Sequence, residues 1–147
     1  MGKECFPDAE GRCGIEVTLV SQPDPRGRVR RVRKRLIADL GCPVELVLDE
    51  RILRAMMAKW GADKPSNFGW LTGYVVRVVF PELEFDDEVP AYANGVAVRI
   101  ARDDGFDGIA GKPFLDNFHY SNGKGGEFCL ESWEQYRERG ERGTAMS

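Results

Sequence analysis

The chain has 147 residues, 42% of them hydrophobic and 31% charged, a balance that suits one soluble globular domain with one core. No apolar stretch approaches the roughly 18 residues of a membrane span, and the first residues, MGKECFPDAEGRC, lack the apolar segment of a secretory signal; the expected setting is the cytoplasm, with no membrane partner. The net charge of −3 is uneven: RGRVRRVRKR, residues 26–35, holds seven of the 21 basic residues, leaving 14 basic against 24 acidic elsewhere, and such a segment calls for a counter-charged partner.

In chain order, Gly14–Val20 is β-rich and roughly alternating, which predicts a strand. SQPDPRG is a turn cluster with two prolines. Over residues 28–40, Val29, Val32, Leu36, Ile37 and Leu40 fall at helical spacing and Gly41 supplies a stop, predicting a basic amphipathic helix. VELVL, 44–48, predicts another strand. Asp49 is placed to cap a helix with Ile52, Leu53, Met56, Met57 and Trp60 on one face, stopped by Gly61.

GADKPSNFG reads as a loop, and GYVVRVVF, 73–80, as the strongest strand, closed by Pro81. PELEFDDEVP reads as an acidic connection. GVAVRI, 95–100, predicts a strand with Val96, Val98 and Ile100 on one face. ARDDGFDGIAGK reads as a glycine-rich loop, PFLDNF, 113–118, as a further strand, and the tail from Ser132 as a short fraying helix. Trp60, Trp70 and Trp133 read as core or loop-packing residues. Closely spaced strands without intervening helices after residue 70 argue for an α+β domain.

Four cysteines, Cys5, Cys13, Cys42 and Cys129, contain no CxxC pair, and His119 is the one histidine, so no metal site is expected. In a cytoplasmic chain, Cys5, Cys13 and Cys42 read as reduced, buried small residues. In DDGFDGIAGK, Gly105 and Phe114 occupy positions where a calcium loop needs ligands. Gly105 to Gly111 is one residue too long for a phosphate loop, and Pro113 follows Lys112. No GxSxG elbow supports a serine hydrolase. A Cys–His pairing of Cys129 with His119 stays open, since it depends on proximity.

Residues 91–133 carry a further pattern. Ala91-Tyr92-Ala93-Asn94-Gly95-Val96-Ala97 forms a tyrosine turn, Lys112-Pro113-Phe114 a proline segment, and His119 precedes Cys129 by ten residues, with Gly126 three before the cysteine and Phe128-Cys129-Leu130 around it. Together with YVVRVVFPELEF, this order resembles the catalytic core of ubiquitin-conjugating enzymes over roughly residues 70–133, in a divergent form of the kind found in bacterial conjugation operons with antiviral roles. The family's His-Pro-Asn becomes His119-Tyr120-Ser121, with Asn122 next door, and its two C-terminal helices do not fit in the 18 residues after Cys129.

The resemblance implies a conjugating-enzyme-like α+β fold: an antiparallel sheet with an N-terminal helix and truncated C-terminal helices. It implies one domain, with an extension over about 1–68 and a core over about 69–136. Cys129 would carry a ubiquitin-like protein as a thioester and pass it to an amine of a target protein, with no cofactor. His119 would stabilise the loop, and Ser121, Asn122 or a backbone N–H of Gly125 or Gly126 would hold the oxyanion. Glu131 matches the family's acidic residue after the cysteine. Arg28, Arg30, Arg31, Lys34 and Arg35 would meet the activating enzyme. On this reading nucleic acid ranks low as a partner. Two other classes stay open: a non-catalytic adaptor or inhibitor, and a nucleic-acid-binding protein that uses the basic helix against phosphates.

Overall fold

The computed structural model describes residues 2–7, 12–66, 69–122 and 126–146. The chain is mostly β, with 48% strand and 24% helix, and its centre is a closed six-stranded barrel. This corrects the expected conjugating-enzyme fold of an N-terminal helix on an antiparallel sheet.

The barrel strands are β2 (Gly14–Val20), β3 (Arg31–Asp39), β4 (Leu46–Leu48), β7 (Gly69–Phe80), β8 (Phe85–Ala93) and β9 (Gly108–Gly111). Around the ring the order is β2-β3-β9-β4-β8-β7, closed by the pairing of β7 with β2. β3 and β9 run parallel, as do β4 and β8, and the other neighbours are antiparallel. Two short strands, β5 (Lys59–Trp60) and β6 (Lys64–Ser66), pair with the N-terminal half of β7. Three of the barrel strands precede residue 69 and three begin at or after it.

The interior is filled by Ile15, Val17, Leu19, Leu36, Leu46, Leu48, Val76, Val78 and Ala110, all buried. β9 closes the ring because it is glycine-rich. A Cβ on Gly108 would meet the Val47 carbonyl, and one on Gly111 the Val44 carbonyl. No larger residue allows this approach between β9 and β4.

The basic segment is β3, not a helix. In a helix, Arg30 and Lys34, and Arg31 and Arg35, would stand four residues apart and repel. In the strand, Arg31, Arg33 and Arg35 alternate outward, and Leu36 enters the core. Arg33 pairs with Glu16 across β2 at 3.5 Å.

Residues 95–100 also differ from expectation. They open α2 (Gly95–Asp103), capped by Asn94, whose side chain accepts the Ala97 N–H. Val98 and Ala101 turn inward, three residues apart, while Val96 and Ile100 stay exposed. The expected strand at 113–118 contains α3 (Lys112–Leu115), with Pro113 in its first turn, where the lost N–H costs nothing. The acidic connection folds as a 3-10 turn (Pro81–Leu83) followed by β8. The helix after Asp49, α1 (Glu50–Ala55), is shorter than expected.

A second sheet joins β1 (Lys3–Phe6), β11 (Phe128–Glu131) and β10 (His119–Asn122), in the order β1-β11-β10. Its Phe6, Phe128 and Leu130 join the barrel core beside Phe80, Phe114 and Phe118, plugging one end. α4 (Trp133–Met146) follows.

Strand directions then define the opposite end. β2, β4 and β8 finish there, and β3, β7 and β9 begin there. The β2–β3 hairpin, α1, α2 and the β5–β6 segment therefore all sit on one rim.

Candidate functional site

The residues proposed for carrier chemistry lie at the plugged end. In β10 and β11, His119 opposes Glu131 and Ser121 opposes Cys129, so these four share one face of the small sheet. Asn122 opposes Phe128 instead, on the other face. Gly126 adopts a left-handed conformation at φ 84°, and Gly125 lies outside the described residues.

Cys129 is 3% exposed, and its Sγ is bonded to Cys5, its direct partner across β1–β11. This corrects the expectation of a buried, reduced Cys5: the residue is exposed and disulfide-bonded. Thioester formation needs a thiolate that an incoming acyl group can reach, and neither condition holds in this state. Cys13 and Cys42 are the free, half-buried cysteines.

The face around Cys129 is covered instead. His119 stacks on Tyr136 of α4 at 3.8 Å between ring centroids and meets Trp133 edge-on at 5.6 Å. The buried carboxylate of Glu131 accepts two hydrogen bonds from Arg139, at 2.7 and 3.3 Å. These contacts dock α4 on the sheet, so His119 and Glu131 hold structure together.

Of the residues proposed to meet an activating enzyme, Arg28, Arg30 and Arg31 lie at the open rim, at the other end of the barrel, whereas Lys34 and Arg35 lie further along β3, where Arg35 lines a pocket with Phe6. Arg28 is paired with Asp24 in the hairpin turn at 3.1 Å. Arg35 lies over the Phe106 ring at 5.1 Å, and Lys34 is half-buried on the face opposite Arg33 and Arg35. Among the described residues, no carboxylate lies within ion-pair distance of the side chains of Arg26, Arg30 or Arg31.

The same rim holds a polar cleft of about 440 Å³, lined by Asp49, Glu50 and Arg51 of the α1 start, Thr72 of β7, and Asn94, Arg99 and Arg102 around α2. Its position follows from the parallel pair β4–β8. Both strands end here, and each feeds a helix whose first residues line the opening. Asp49 caps α1 by accepting the Arg51 N–H at 2.8 Å, and it pairs with the Arg51 and Arg102 guanidinium groups. Burial alone would raise the Asp49 carboxyl; that N–H and the two cations outweigh it and hold it below the usual carboxylate range. Among the described residues, no carboxylate lies within ion-pair distance of Arg99. The cleft thus offers a cation and a nine-residue helix N-terminus, the chemistry that receives an anion.

One wall of the rim is aromatic. Trp60 and Trp70, expected in packing roles, are 72% and 73% exposed. Trp60 stacks on Tyr74 at 4.9 Å, and the Tyr74 hydroxyl donates to Glu50 at 2.9 Å. Burial and that carboxylate raise the Tyr74 phenol above its ordinary value, so it stays a donor at neutral pH. Among the described residues, no cluster of three or more His, Cys, Asp or Glu side chains is placed to hold a metal.

Residue patterns alone missed Arg51, Arg99 and Arg102, because Arg51 sits in a helix that looked ordinary, Arg99 in a segment expected to be a strand, and Arg102 in one expected to be a glycine-rich loop. The one signal for the cleft was Asn94 just before Gly95, a capping residue where α2 begins. No family model, curated protein or solved structure matches this chain.

Proposed function

We propose that this protein binds nucleic acid through the open rim of its barrel. One observation carries the reading: the strand register places the arginine hairpin at the same end as the Arg99 cleft and the exposed tryptophans. A two-stranded ribbon with outward arginines offers flat, bidentate phosphate contacts. The acidic remainder of the chain repels phosphate from other faces and so orients the approach. Nucleic acid, ranked low on the resemblance to conjugating enzymes, moves ahead because the basic segment is an exposed ribbon at the same end of the barrel as an anion-accepting cleft.

Cytoplasmic residence belongs to this proposal. Among the described residues no helix is long and apolar enough to cross a membrane, while the Cys5–Cys129 bond counts against a reducing compartment. For a thioester carrier acting with a ubiquitin-like protein, its activating enzyme and an amine target, the Cys5–Cys129 bond must first be reduced and Cys129 uncovered. No contact in the fold favours that sequence of events, and we rank that reading second.

The test is fluorescence anisotropy of labelled 20-mer oligonucleotides against the wild type and an Arg26→Gln, Arg30→Gln, Arg31→Gln triple variant. These three arginines make no ion pair among the described residues, so the variant should fold normally. Binding should weaken at least tenfold for every sequence tried, because phosphate contacts carry no base information. Equal affinity in the variant would remove the hairpin from the site.

A further inference from the structure

We infer that the nucleic acid taken at this rim is single-stranded, with bases stacking on Trp60 and Trp70. This rests on the nucleic-acid reading above and names the form of the ligand. A duplex hides its base faces inside the stack and presents phosphates and groove edges. A single strand presents both, so a site built for it interleaves cations with exposed aromatic faces.

The rim has that composition. β5 carries Trp60 beside Trp70 of β7, and the cations at this end are Arg99 and the hairpin arginines; Lys59, paired with Glu88, and Lys64, over the Tyr92 ring, face the other side of the sheet. Trp60 pairs with Tyr74 across β5–β7, and strand alternation puts Trp70, Thr72 and Tyr74 on one face of β7. Thr72 lines the cleft, so the face that carries the indoles continues into it.

The platform is also held rigid, which an idle surface tryptophan does not need. Tyr74 covers one face of Trp60 and is itself fixed by its hydrogen bond to Glu50, which Arg54 holds at 3.0 Å. The segment between β5 and β6 is pinned to Gly73. The Gly61 N–H donates to the Gly73 carbonyl at 2.9 Å, and the Gly73 N–H donates to Asp63 at 2.8 Å. Glycine is required at 73 because a Cβ there would meet the Ala62 carbonyl. One face of Trp60 is thus preorganised and open.

Trp60 and Trp70 lie four strand positions apart, about 13 Å along β7 at roughly 3.3 Å per residue. That span suits two bases of an extended strand with phosphates reaching Arg99 and the hairpin. A protein surface is the competing occupant. It would use the same tryptophans without discriminating single strand from duplex.

The experiment compares a 20-mer dT or rU strand with a 20-bp duplex at equal salt, reading anisotropy and tryptophan emission. It is done in a Trp133→Phe background, so that emission comes from the rim alone. The single strand should bind at least tenfold more tightly and quench the emission. Trp60→Ala and Trp70→Ala should each weaken it roughly five- to hundredfold, the usual range for one stacked base. Trp60→Phe should recover most of the loss, and the salt dependence should persist because the phosphates are still held. Equal affinity for duplex, or Trp60→Ala and Trp70→Ala variants with unchanged affinity, overturns this inference and leaves the arginine reading standing. Absence of binding to either form overturns the nucleic-acid reading and this inference with it.

Discussion

Removing the Cys5–Cys129 disulfide should destabilise the fold substantially, because the bond closes nearly the whole chain. The two cysteines are 124 residues apart in sequence. Loop-closure entropy for a cross-link of that span sets a ceiling of about 5 kcal/mol, and measured native disulfides typically contribute roughly 2–4 kcal/mol. Against a total stability of about 5–15 kcal/mol for a domain, that is a large share. The structure gives a reason for a value near the middle of the range. β1 has four residues at the edge of its sheet, and Phe6 is its one buried side chain, so the cross-link does much of the holding. At roughly 2–4 °C per kcal/mol for a chain of this size, the melting temperature should fall by about 5–15 °C. The assay is calorimetry with and without a phosphine reductant, beside Cys5→Ser as the reductant-insensitive control. Cys5 is exposed, so serine there buries no hydroxyl. Alkylation of the native protein counted by mass should find two thiols before reduction and four after. Four thiols on the native protein, or a wild-type melting temperature that reductant does not move while two thiols are counted, would refute this reasoning.

Other consequences are simpler to check. Asp49→Asn keeps the oxygen that accepts the Arg51 N–H but loses the charge that Arg51 and Arg102 hold. A carboxyl held below its unfolded value of about 3.9 adds stability above that pH and loses it as pH falls through the lowered value. Urea denaturation should therefore find the variant weaker at neutral pH, with the gap closing below about pH 4; a gap that persists there assigns the loss to packing. Leu48→Ala, in the fully buried barrel interior, should cost about 2–5 kcal/mol in chemical denaturation with an unchanged m-value. A loss under about 1 kcal/mol would mean that the barrel core is not packed around β4.

How far the residues alone reached depended on whether two periods competed. Gly14–Val20 has one reading, and its strand bounds match the structure. The cap at Asp49 was readable from its chemistry, since a side-chain oxygen before a helical pattern has few other uses. Over 28–40, the apolar spacing suits a helix, yet Val32, Lys34 and Leu36 also alternate with arginines. Like-charge repulsion along a helix and pairing with β2 decide for the strand, and only the second needs distant residues. At 95–100 the apolar alternation suggested a strand, but the Asn94 cap and the burial of Val98 and Ala101 against β9 and β4 make a helix. Cys5 and Cys129 could not be paired from spacing, because 124 residues separate them and only the β1–β11 register brings them together. The cleft was equally hidden, since its walls come from the ends of β4, β7 and β8, which meet only when the barrel closes.

The most direct test of the nucleic-acid reading is the salt dependence of oligonucleotide binding. If Arg26, Arg30, Arg31 and Arg99 each neutralise one phosphate of a single strand, the logarithm of affinity should fall with the logarithm of salt at a slope of about −2.8. Between 50 and 200 mM salt that is a loss of about fiftyfold, measurable by anisotropy. The Arg26→Gln, Arg30→Gln, Arg31→Gln variant should retain a slope of only about −0.7. A slope near zero in the wild type, or no binding at 50 mM salt, would contradict the account.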